Sequence, residues 1–340
     1  ISSSDIKEDN INNISISRYI TEDAIEKSAT KYCPAPVILI VSRVGVGKVA
    51  LSHTSLCTSQ DFCNIIDIKC HPVFLSYNLL RTMKRKSREV QGTSIKGITS
   101  DELQKIRVFI PKNKDEQNKI SNLLTLLDER IATQNKIIED LKKLKSAIIE
   151  IEYSPKDSYH SHIGGAIVQI SKRNKDNHLC NVLSVSNRQG FIKQSEQFED
   201  RNVASDDTSN YKIVEKNDFA YNPARINVGS IARLTKFETG IVSPMYICFR
   251  TKDCLLPEYL ELFFESRNFF YHIQKRLEGS VRLCLSYEEL CNIPIVIPSI
   301  EKQKQVDLHL SKLAQKIDLE MKILQFVQQQ KTYLLHQMFI

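Results

Sequence analysis

The stretch "LLTLLDERIATQNKIIEDLKKLKSAII", Leu123 to Ile149, decides how this chain is built. It is too long and too charged for an ordinary core helix. Apolar residues return at steps of three and four: Ile120, Leu124, Leu127, Ile131, Ile138, Leu141 and Ile148. Gln134 and Lys145 interrupt that row. Such spacing keeps one apolar stripe on one helix face, where it meets a partner helix. Pro111-Lys112-Asn113 precedes the run, and Asn113 and Glu116 are spaced like a capping box.

The rod occurs twice. Adding 186 to each position gives Val306, Leu310, Leu313, Ile317, Leu324, Val327 and Leu334, all apolar, with Glu320 and Lys331 at the two polar interruptions. Pro298-Ser299 stands before this second rod, with Lys302 where a capping glutamate would sit, so Ser299 caps alone. The likeness runs upstream. "GTSIKGITSDELQKIRVFIP" (92–111) matches "GSVRLCLSYEELCNIPIVIP" (279–298), and "SRVGVGKVA" from Ser42 matches "ARINVGSIA" from Ala224. The chain is a tandem duplication, a globular unit followed by a long helix, twice. Charge is shared evenly, +4 in 1–152 and +3 in 153–340.

Alternating and β-branched runs predict strands at "VILIVSR", "CNIIDIK", "VRLCLS" and "IPIVIP". Short amphipathic helices are expected at "TSDELQKI", "FLSYNLLRTMKRK" and "LPEYLELFFESRNFFYHIQKRL". The expected fold is α+β: two mixed α/β units at 1–112 and 153–298, each followed by a long helix, 113–152 and 299–340. The two helices are expected to pair as an antiparallel coiled coil. Residue 1 corresponds to about position 183, so 153–182 has no counterpart and the first unit reads as shortened.

Composition narrows the function. Apolar residues make up 41% and charged residues 26%, usual for a soluble globular protein. No run reaches the ~18 apolar residues of a membrane span. The opening "ISSSDIKEDNINN" is polar and unlike a signal peptide. Nine unpatterned cysteines point to reduced thiols and a cytoplasmic setting, and their spacing offers no zinc site. The net charge of +7 allows an acidic partner. "RVGVGKV" lacks the first glycine and the Ser/Thr of a phosphate-binding loop. "NPAR" at 222–225 lacks the aromatic residue of an amino-methyltransferase motif, and no H-E-x-x-H occurs. No catalytic constellation is legible.

Two rods of about 30 residues are about 45 Å long at a 1.5 Å rise. That length suits a spacer between two DNA half-sites about 34 Å apart on one face of a duplex. It also suits a scaffold carrying two protein-binding modules, the main alternative.

"YITEDAIEKSATKYCPAPVILIVSRVGVGKVALSHTSLCTSQDFC" and "DFAYNPARINVGSIARL", followed by "GIVSPMYICFR", resemble the target-recognition domains of type I restriction–modification specificity subunits. Glu116-Gln117 opening a long helix after proline is similar to that family's helical region. The resemblance implies a non-catalytic subunit that binds a bipartite target in double-stranded DNA. It implies two methyltransferase (modification) subunits docked on the helices and endonuclease/translocase (restriction) subunits joining them. The chain itself would need no cofactor. S-adenosylmethionine, ATP and Mg are expected on the partners only.

Candidate DNA contacts follow from charge and position. Arg43 and Arg225 occupy matching places beside Gly47 and Gly229, with Lys48 and Asn227 nearby. Arginine there reaches phosphate or guanine O6/N7, and asparagine pairs with adenine. The competing reading is a salt-bridged turn. Lys84, Arg85, Lys86 and Arg88 form a basic run whose shorter counterpart is Lys275-Arg276. Such a run either neutralises phosphates or forms a solvated helix face. Lys96 and Arg282 lie in matching loops. Tyr221 is a base-stacking platform or a core residue. Arg130, Glu139 and Lys316 mark the outer helix faces expected to meet partner subunits. Polar seam residues fix register, and Glu320 is expected to face a lysine.

Overall fold

The computed structural model describes residues 1–90, 97–154, 161–187, 189–197, 207–278 and 283–339. It divides into two compact units, Ile1–Ile138 with Glu320–Ile340, and Glu139–Leu319. Two helices dominate, Lys114–Glu152 and Ile300–Met338, each of 39 residues. At a rise of 1.5 Å per residue each is about 58 Å long, longer than the periodic core of the sequence alone indicated. Each contributes one part to each unit.

The first unit opens with a short helix α1 (Glu22–Glu26) and five strands: β1 (Lys31–Cys33), β2 (Val37–Val41), β3 (Val49–Ser52), β4 (Leu56–Thr58) and β5 (Phe62–Ile65). β2 is buried at every residue and pairs antiparallel with β3 on one side and β5 on the other. β1 and β4 form a separate ribbon. Helix α2 (Pro72–Val90) packs on β3. The short α3 (Ser100–Gln104) starts at a capping box of Thr99 and Glu102. It leads to α4, the Lys114–Glu152 helix. Phe74, Tyr77 and Met83 of α2 share one core with Leu124 and Leu127 of α4 and with Val327 and Leu335 of the last helix. The start of α4 therefore lies against the end of the last helix, the antiparallel order expected.

The second unit contains α5 (Ile163–Ala166), β6 (Ile167–Ile170), β7 (Val182–Ser186), β8 (Gly190–Lys193), α6 (Gln194–Gln197), β9 (Lys212–Glu215) and β10 (Phe219–Tyr221). β11 (Ile231–Arg233), β12 (Thr239–Val242) and β13 (Ile247–Thr251) complete two four-stranded sheets, ordered β11-β10-β13-β6 and β8-β7-β12-β9. The expected amphipathic helix at 256–277 is two helices, α7 (Pro257–Phe264) and α8 (Arg267–Arg276). The break is at Ser266, whose hydroxyl accepts the Phe269 N–H at 3.2 Å and starts a new helix. α9 (Tyr287–Cys291) precedes the last helix, α10 (Ile300–Met338).

Two expected strands are corrected. "IPIVIP" is extended but forms no named strand. Pro294 and Pro298 lack the N–H a ladder needs, and only Ile293 and Ile295 bond to the 161–163 segment. In "VRLCLS" the described residues give one bridge, Cys284 to Glu278.

Candidate nucleic-acid interface

Each unit has the same hairpin: a buried strand, a glycine-bearing turn with an exposed arginine, and a returning strand. In the first unit β2 runs into the turn 42–48, where Arg43 is exposed, and β3 returns. In the second, β10 runs into 222–230, where Arg225 is exposed, and β11 returns. Gly47 and Gly229 both hold a positive φ, 109° and 89°. Other residues adopt that conformation at a cost, which explains glycine at both places.

The turns are pinned alike. Ile98 donates its N–H to Ser42 O at 2.7 Å, and its repeat counterpart Leu285 donates to Pro223 O at 3.1 Å. Gly97 lies so close that a Cβ there would stand 2.5 Å from Ser42 O. Gly97, Ile98 and Leu285 thus lie beside the arginine turns. Lys96 and Arg282 lie outside the described residues.

In the first unit the basic helix end comes to the same place. A Cβ on Gly47 would lie 3.1 Å from the Ser87 hydroxyl, so the Arg43 turn rests on the end of α2 that carries the basic run. Arg85 is exposed, while Lys84 and Lys86 are half-buried. Lys84 is ion-paired with Asp9, and Lys48 donates to Ser3 O at 3.3 Å. The side chain of Arg88 lies outside the described residues. In the second unit the 3-10 turn Ile226–Val228, which includes the half-buried Asn227, packs on α8.

Two candidates are corrected. Tyr221 is 0% exposed, and its hydroxyl donates to Leu285 O at 3.2 Å. A ring enclosed in that core offers no face to a base. Arg276 turns inward, with its guanidinium 3.0 Å from His272 Nδ1, 3.3 Å from Asn292 O and 3.6 Å from the Glu289 carboxylate. It ties α8 to α9. Lys275 remains exposed, its ammonium 4.3 Å above the Tyr271 ring. Burial, then Arg276 and Lys275, hold His272 below the usual imidazole range.

Residues 2–143 match the model of a family described as the type I restriction modification DNA specificity domain. Over that stretch, less than half of the chain, the sequence is similar to type I restriction–modification specificity domains. A curated relative, the MjaIX specificity subunit of Methanocaldococcus jannaschii, is 30% identical over 147 residues. That match covers 41% of this chain and 33% of the relative, so the chain aligns with about a third of its length. Among solved structures, one from a type I system, described in connection with complex assembly and conformational transition, superposes with a TM-score of 0.63 at 14% identity. The match covers 100% of this chain and 90% of that one. The S subunit from M. genitalium superposes at 0.55 with 17% identity, over 91% and 84% of the two chains. At these identities the structures speak to the fold, which they share.

What Gln117 and Gln303 hold together was not legible in the sequence. Gln117 accepts the His71 N–H at 2.9 Å and donates to Pro111 O at 2.7 Å. Gln303 accepts the Leu256 N–H at 2.8 Å and donates to Pro298 O at 2.9 Å. Both are buried and lie 186 residues apart, so each unit is tied to its long helix by the same clamp. Only their repetition was visible, since glutamine recurs at the repeat spacing three residues into each helix. The partner candidates Arg130, Glu139 and Lys316 are exposed on the long helices, and Glu139 pairs with Lys143.

Proposed function

We propose that this chain is the DNA sequence-specificity subunit of a type I restriction–modification complex. It binds a bipartite duplex target and does no chemistry itself. One observation carries the reading: each unit presents an exposed arginine, Arg43 or Arg225, on a pinned turn that packs on a helix bearing basic residues. Guanidinium groups on fixed backbone suit bidentate contact with guanine or phosphate. Methylation with S-adenosylmethionine and cleavage driven by ATP with Mg belong to methyltransferase and endonuclease subunits that the chain directs. On the helices, exposed Leu126, Phe326 and Tyr333 beside charged residues such as Arg130 support protein docking there.

The test is selection from randomised duplex DNA by the chain assembled with methyltransferase subunits, at two salt concentrations. One gapped, two-part motif with salt-dependent affinity is expected. Unenriched sequence and a flat salt response would favour the scaffold reading instead.

A further inference from the structure

Within the first unit, the cation-rich part of α2 meets the last turns of α10 at a small cleft. Its volume is about 120 Å³, and Arg81, Lys84 and Arg85 of α2 line it together with His336 of α10. No lining residue carries a carboxylate. Arg81 is half-buried, and Arg85 and His336 are exposed. Among the described residues neither Arg81 nor Arg85 has an ion pair or a side-chain hydrogen bond. The two stand four residues apart on one helix face, where like charges repel.

The other polar groups of the cleft are already engaged. Lys84 is ion-paired with Asp9. The Thr82 and Thr332 hydroxyls, also in the lining, donate to Asn78 O and Gln328 O, each at 2.9 Å. The donors left for a ligand are the two guanidinium groups and a ring N–H of His336. The second unit treats the same features differently. On α8, Tyr271 and Lys275 hold the four-residue spacing, and the ammonium stands 4.3 Å above the ring. Glu150, 186 residues before His336, is a carboxylate that accepts the Arg267 N–H at 3.0 Å. There the chain supplies its own partner for the cation and its own acid. The first unit sets two guanidinium groups around an acid-free cleft.

We propose that this cleft binds a phosphate group, gripped by Arg81 and Arg85 and met by His336. Guanidinium forks match phosphate oxygens in bidentate geometry. The cleft has the volume of about four waters, which suits a tetrahedral oxyanion. A bound anion also offsets the repulsion between the two arginines. Free phosphate and the phosphodiester of a DNA backbone share this chemistry, and the site itself does not depend on the DNA reading.

Calorimetric titration of the full chain with inorganic phosphate, at constant ionic strength in chloride, tests it. Saturable one-site binding is expected. The double variant Arg81→Gln, Arg85→Gln is expected to bind about tenfold more weakly or worse. Lys119→Gln, at an exposed position of α4 outside the cleft, should bind as the unaltered chain does. Should the double variant lose its melting transition, Arg85→Gln with His336→Ala takes its place. Repeating the titration with a duplex of unrelated sequence identifies the source. A duplex that displaces phosphate assigns the cleft to the DNA backbone, and phosphate that still binds beside the duplex assigns it to the free anion. Phosphate binding by a chain that binds no duplex would uphold the site while sinking the DNA reading. Lack of saturable binding, or equal binding by the arginine variant and Lys119→Gln, would overturn the proposal.

Discussion

Gln134 and Glu320 occupy the same position in the two copies of the repeat, and they hydrogen-bond to each other. Gln134 Nε2 donates to Glu320 O at 3.1 Å and to the Glu320 carboxylate. Antiparallel pairing of related helices brings matching positions together where the two runs cross. Both residues are 7% exposed, so an unmatched partner is costly. Gln134→Leu is expected to cost about 1–3 kcal/mol, read from urea unfolding. Adding Glu320→Leu should return part of that loss. A double variant no better than the single would show that the pair does not act together.

The repeat lysines give a sharper contrast. Lys331 is ion-paired with Asp128, which also accepts from the Tyr77 hydroxyl at 2.7 Å, and both charges are about 5% exposed. Burial lowers the Lys331 pKa. Lys145, at the matching position, pairs at 2.6 Å with the half-exposed Glu265. Removing one member of a buried pair strands the other, so Lys331→Met is expected to cost about 3–5 kcal/mol. Lys145→Met should cost less than about 1 kcal/mol, as for solvent-screened pairs. Equal losses in the two unfolding curves would refute the distinction.

The repeat, the paired rods and the arginine turns were legible because each depends on spacing along the chain. Heptad steps set a helix face, and glycine marks a positive φ at both turns. What stayed hidden depends on contacts between distant segments. Nothing in "KRKSR" announces that Asp9 engages Lys84, and nothing in Lys275-Arg276 announces that Asn292 and Glu289 hold Arg276. Tyr221 was ambiguous because alternation places it on a buried face only once the sheet order is known. The division at Ser266 was readable in principle, since serine before "RNFF" is a capping residue. The surrounding apolar run masked it.

For DNA binding the structure separates free from engaged cations. Arg43→Ala and Arg225→Ala are each expected to lower the slope of log affinity against log salt by about 1, the signature of one lost phosphate contact. A base contact would instead relax sequence choice at one position of the motif. Arg276→Ala should leave the slope unchanged and lower the melting temperature, because its guanidinium joins α8 to α9. The measurement is titration of the selected duplex at several salt concentrations, with a melting curve for each variant. A slope change for Arg276→Ala as large as for Arg225→Ala would return Arg276 to the interface.

Acid should weaken the fold before the carboxylates titrate. Burial holds His71 below the usual imidazole range. His272 is lowered by burial and by the nearby Arg276 and Lys275, and the Arg276 guanidinium donates toward Nδ1, where an added proton would sit. A lowered folded pKa means that the unfolded chain binds more protons near pH 6, so stability rises with pH there. The contribution is complete above the unfolded value of about 6.5 and is lost as pH falls through the lower folded values. Urea midpoints measured from pH 7.5 down to about 5 should therefore decline, beginning near 6.5. His272→Gln removes one of the two titrating groups and should flatten part of that decline. A wild-type midpoint that holds steady or rises over this interval would contradict the assignment.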